Sequence, residues 1–186
     1  MVAHTSGAFA TLRDALKART RPLHDALDAA IGGAVLDSGG HAAFLTVQLA
    51  ARAPIERWAA AHMPCALKPP PMAALIVADL AELGAPRPED ECFAVPPDVD
   101  HIGVAWALGG SALGNKAILV QRRRAGCTTA NRFLGDGATA QYFRRILPLL
   151  GDITGPRDTD AAVGAAEAVF RTFLAAASRV RIKAAA

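Results

Sequence analysis

Between Leu12 and Ile31 the chain reads LRDALKARTRPLHDALDAAI, with Leu12, Leu16, Leu23, Leu27 and Ile31 recurring at near-helical spacing. That period places all five on one apolar stripe of an α-helix. The helix is predicted to start near Gly7–Thr11 and to stop at Gly32 and Gly33. Pro22 removes one ladder hydrogen bond and predicts a kink or restart just before His24. After the Ser38-Gly39-Gly40 break, Phe44, Leu45, Val47, Gln48, Ala51 and Ile55 predict a second helix to about His62, with Pro54 as a bend. Met63 to Pro71 reads as a linker. A third helix follows from Met72 to Leu83, with Leu75, Ile76, Leu80 and Leu83 inward and Gly84 as its stop. Pro86 to Asp100 is a loop, rich in proline and acid. Asp98 or Asp100 then caps a fourth helix, Ile102 to about Arg122. Asn131–Gly137 is a glycine-interrupted stretch before a fifth helix, Thr139–Leu150. Asp158 or Thr159 caps the sixth, whose Val163, Ala166, Phe170, Phe173, Leu174 and Ala177 form a further core stripe. No strand-period run and no internal repeat is visible. The pattern predicts an all-α fold, a compact helical bundle in one domain over residues 1–186, with flexible ends at 1–8 and 181–186.

Composition narrows this modestly. The 186 residues suffice for one substantial core. Abundant alanine, leucine and valine with few aromatics favour helix packed on helix. The formal charge of +3 is mild, and Arg122-Arg123-Arg124 is the one basic run, read as a solvated helix end, so no nucleic-acid partner is expected. Cys65, Cys92 and Cys127 form no CxxC pair, which suits free thiols in a reducing cytoplasm. The N-terminus has no uninterrupted apolar stretch of signal-peptide type. The apolar segment Ile102–Val120 is broken by four glycines, Asn115 and Lys116, so no membrane span is expected there.

Two segments carry candidate chemistry. On the first helix Lys17, Thr20 and His24 lie three and four residues apart and share a face beside the apolar stripe, with Arg13 one turn further back. An imidazole at the edge of a core with cations upstream suits a flat, anionic, iron-bearing ligand. The same pattern also describes a half-buried histidine with solvated cations. On the fourth helix Gly103, Gly110 and Gly114 line one face. Each interior glycine costs about 1 kcal/mol relative to alanine. Two reasons fit such a face: close approach of another helix, or close approach of a flat ligand to the backbone. The remaining histidines, His4, His41, His62 and His101, are scattered without a metal-ligand spacing.

Together LKARTRPLHDALD (Leu16–Asp28) and GVAWALGGSALGN (Gly103–Asn115) resemble bacterial heme oxygenases of the biliverdin-producing, bacteriophytochrome-associated kind. Phe44-Leu45, Pro54-Ile55-Glu56, Asp79-Leu80 and Leu83-Gly84 sit where similar sequences carry like residues, and the likeness runs from Leu12 to Ala177. The resemblance implies that His24 ligates heme iron, that Lys17 pairs with a propionate, and that Thr20 and Trp106 belong to the heme pocket. Arg171 is a second propionate candidate, although a Glu167–Arg171 surface pair fits the spacing equally. Gly110 and Gly114 would let the distal helix lie on the porphyrin, with Ser111 organising water. Departures from the family pattern are Trp106 for a tyrosine, Gly109 for an acid and Asn115 for a small residue. The implied activity is O2-dependent cleavage of heme to biliverdin, CO and iron, with heme as both cofactor and substrate. Electrons would come from a ferredoxin or flavoprotein reductase, and biliverdin would go to a bacteriophytochrome. Heme storage without turnover, or a heme-free helical interaction module, are the other readings.

Overall fold

The computed structural model describes residues 11–31, 37–151 and 159–180, and these form an all-α fold. Its helices are α1 (Leu12–Ile31), α2 (Ser38–His62), α3 (Ala73–Glu82), α4 (His101–Arg124), α5 (Arg132–Gly135), α6 (Ala138–Ile146) and α7 (Thr159–Arg179). Short 3-10 turns at Cys65–Leu67 and Leu147–Leu150 complete the regular structure. The expected stop at Gly32-Gly33, the Asp158 cap and both expected free ends lie outside the described residues.

α7 is the hub. Val163, Ala166, Phe170, Phe173 and Ala177 are buried as the stripe predicts, and α1, α2 and α4 all pack on this helix. By length and composition α7 could cross a membrane, but half of its most apolar window is buried inside the protein, where it forms core. One core cluster joins α1, α2, α4, α6 and α7. A second, built from Phe44, Leu45, Leu49, Ile76, Leu80 and Phe133, joins α2, α3 and α5.

The helix ends follow from local chemistry. Asp37 accepts the Gly40 N–H at 2.6 Å, so α2 begins at Ser38 and absorbs the glycines expected to precede it. Asp100 accepts from the Ile102 N–H and starts α4 at His101. Gly84, at φ +65°, ends α3 in the left-handed region, with the Ala85 N–H returning to the Leu80 carbonyl. Arg122 is a correction to the solvated basic run. It is buried, and its guanidinium holds the Asn131 side chain at 2.9 Å and the Thr129 carbonyl at 3.2 Å, fixing the loop into α5. Arg123 and Arg124 are exposed.

The two prolines inside helices do not break them. α1 runs through Pro22 as one helix, against the predicted restart. Ala18, whose carbonyl loses its ladder partner, is exposed, so water can replace the missing N–H. In α2 the carbonyl freed by Pro54 is that of Ala50, and the Glu91 N–H fills it at 2.9 Å. The acid-rich loop before α4 is thereby tied to the gap in the ladder, and buried Glu91 also pairs with Arg179 of α7 at 3.2 Å.

Candidate functional site

Burial along α1 is uneven. Leu12, Ala15, Leu16 and Thr20 are buried, whereas Leu23, Leu27 and Ile31 are only half-buried. The helix therefore buries its first half more deeply than its second, where Leu27 and Ile31 still pack at the core margins. His24 lies on the second half with its side chain 55% exposed. Its Nδ1 is 3.1 Å from Oδ2 of Asp28, one turn on, and its ring lies 5.9 Å from that of Phe170. The contact sets a carboxylate beside Nδ1 between two largely exposed side chains, the placement in which outer-shell carboxylates support metal-ligating histidines. Asp28 escaped the sequence reading, although its spacing of four from His24 was the available signal.

α4 reaches the same residue of α7. Trp106 is half-buried, with its ring 6.4 Å from Phe170, so Phe170 is the shared neighbour of Trp106 and His24. α1 and α4 both pack on α7 rather than extensively on each other. The glycines of α4 then divide by cause. A Cβ on Gly103 would lie 1.9 Å from the Ala162 carbonyl oxygen, and one on Gly109 would lie 2.7 Å from the Phe143 ring. These two glycines serve helix packing. Gly110 and Gly114, one and two turns beyond Trp106, have nothing within 4 Å of the Cβ position. That part of the helix presents bare backbone to open space, edged by Leu113, which is 73% exposed. Phe143 fills the space that any side chain at Gly109 would need.

Ser111 is the polar group beside this bare face. Its hydroxyl donates to the Leu108 carbonyl at 2.7 Å and accepts from Nη2 of Arg52 at 2.8 Å. Arg52 reaches across from α2 and is 1% exposed, and its desolvation pulls the guanidinium pKa below the ordinary range. The sequence reading missed it. The signal was a lone cation spaced four from Gln48 and three from Ile55, on the inward ridge of an apolar helix. Asn115, one turn beyond Ser111, is buried too.

The other nominated residues are placed as follows. Lys17 is exposed, two turns before His24 on the same face, which is about 10 Å along the axis. With Thr11, Arg13 and Asp14 it borders a pocket of about 360 Å³ closed by Leu147, Leu150 and Gly151. Thr20 is buried, with its hydroxyl donating to the Leu16 carbonyl at 2.8 Å, so it belongs to the packing of α1 and offers no open donor. Arg171 is exposed and paired with Glu167 at 2.7 Å. Among the described residues no group of three or more histidine, cysteine or acidic side chains is arranged to hold a metal ion. A single imidazole suffices for an iron that brings its own four nitrogen ligands.

Compared with known protein families, with curated proteins and with solved structures, the chain finds no match.

Proposed function

We propose that the chain is a heme oxygenase, binding heme between α1 and α4 and cleaving it with O2 to biliverdin, CO and iron. One observation carries this reading. A histidine with a carboxylate beside Nδ1 stands next to Phe170, and α4, whose Trp106 meets the same Phe170, has open space at Gly110 and Gly114. A flat ligand fits such a face, because a helix bare of side chains lets a porphyrin ring lie against it. Heme, when bound, supplies both the iron that activates O2 and the ring that is cut.

The roles of the chain's own groups follow. His24 would hold the iron, with the Asp28 carboxylate beside Nδ1 orienting its ring. Lys17, on the same face of α1, offers its ammonium to a propionate, with Arg13 behind it. Arg171 would join only by leaving Glu167, a step costing no more than about 1 kcal/mol for an exposed pair. Trp106 and Phe170 exclude water from the inner edge. Gly110 and Gly114 would let a flat ring lie against bare backbone, and Ser111 would orient water beside it. Electrons come from a separate donor, a ferredoxin or flavoprotein reductase, and biliverdin passes to a partner such as a bacteriophytochrome.

The test is to load the protein with hemin and supply ascorbate in air. Loss of the Soret band, growth of red biliverdin-type absorbance and release of CO are expected. A specific observation favours storage without turnover as the second reading: the Ser111 hydrogen is already committed to Leu108. A stable ferrous spectrum, with neither biliverdin nor CO, would support storage and remove the oxygenase reading.

A further inference from the structure

α2 sends one cation into the interior behind the bare face of α4, and the neighbours of that cation leave it under-compensated. The nearest anion, Glu56, has Oε1 3.7 Å from Nη1 of Arg52. Both Glu56 oxygens already accept backbone N–H groups at the start of α3, from Met72 at 3.0 Å and Ala73 at 3.1 Å. The Phe133 ring faces the guanidinium at 5.3 Å, and Nε of Arg52 has no hydrogen-bond partner. One turn back on the same ridge, Oε1 of Gln48 is also buried without a partner. A buried charge held this loosely is costly, and replacing such ions with apolar groups is often neutral or stabilising. Packing alone therefore accounts poorly for an arginine here.

Its one short bond to another side chain shows where it acts. Ser111 has one hydrogen, used on Leu108, and two lone pairs, of which Arg52 takes one. The hydroxyl thus meets the distal space only as an acceptor. A water seated on the remaining lone pair must donate one hydrogen to Ser111 and keeps the other for whatever lies beyond it. We infer that Arg52 is the positioning residue of the distal side, fixing the polarity of Ser111 and placing a positive field behind an anion bound over Gly110. This rests on the heme reading above and assigns the electrostatics of that same site.

The test uses ferric hemin-loaded protein titrated with azide, and the ferrous CO complex read by its C–O stretch. Arg52→Met should bind hemin as the wild type does. It should lose roughly tenfold in azide affinity, the scale of one charge acting through a partly screened interior, and its C–O stretch should move to higher wavenumber. Arg52→Lys should restore most of both. With Ser111→Ala already present, adding Arg52→Met should change azide affinity much less. Should Arg52→Met fail to fold, Arg52→Gln takes its place, with the same azide loss expected. Normal hemin binding with unchanged azide affinity and C–O stretch overturns the role of Arg52 and leaves the heme reading standing. If the wild-type protein takes up no hemin, both fall together.

Discussion

Gly103 and Gly110 stand seven residues apart on one face of α4 and look alike in the sequence, yet their surroundings are opposite. Gly103 is wedged against the Ala162 carbonyl. Gly103→Ala should therefore force α4 from α7 and destabilise the protein by about 1–3 kcal/mol, measurable by urea unfolding. At Gly110 nothing meets an added side chain. Gly110→Leu should fold at least as well as the wild type, since an interior glycine costs the helix about 1 kcal/mol, yet it should abolish hemin uptake by filling the bare face. The sequence offered both explanations for the glycines without separating them, because spacing defines a face and not what the face meets. Asp28→Ala should weaken hemin binding about tenfold, the lower end for loss of an outer-shell partner, because the pair is exposed. His41 sets a pH dependence of its own. Its Nε2 hydrogen goes to the Ala130 carbonyl at 2.7 Å, and its Nδ1 is buried with no partner. Burial, aided by Arg122 and opposed by the Ala130 bond and Asp79, holds its pKa below 6.5. Below that pH the unfolded chain binds a proton that the folded chain refuses, so stability should fall as pH drops from about 6.5 toward the lowered value. His41→Gln should flatten that slope in urea titrations, and an unchanged slope would assign it to other groups.

Among the elements, the predicted and observed helices agree well because apolar periodicity and capping residues are both local signals. Asp100, Gly84 and the stripe of α7 were all readable that way. What local pattern does not show is satisfaction of a backbone group by something distant in sequence. Pro54 frees the Ala50 carbonyl, and Glu91 arrives from a loop to occupy it. α5 falls in the glycine-interrupted stretch, and what orders it comes from α3. Buried Asp79 accepts the N–H groups of Arg132 and Phe133 at 3.1 and 2.9 Å and pairs with the Arg132 side chain at 3.0 Å. Asp79→Ala leaves these donors unmatched and should cost about 3 kcal/mol in a urea melt. A loss below about 1 kcal/mol would mean that α5 is ordered by packing of Phe133 and Leu134 instead.

Across the whole molecule, α1 and α4 are held by the same helix and leave an unequal surface between them. The first turns of each are sealed into the core, at Leu16 and at Gly103, whereas His24 and Gly110 lie beyond the sealed parts. The sequence nominated both segments but did not reveal what lies behind them, since Arg52 and Asp28 act through partners that only the fold or a helix turn brings together. The account as a whole depends on a porphyrin entering between these two helices with its iron on His24. A hemin titration followed at the Soret band, run in parallel on the wild type and His24→Ala, tests this most directly. The wild type should saturate at one hemin per chain at micromolar protein with a histidine-ligated spectrum, and His24→Ala, still folded, should lose or markedly change that band. Absence of a 1:1 complex, or identical spectra for the two proteins, would contradict it.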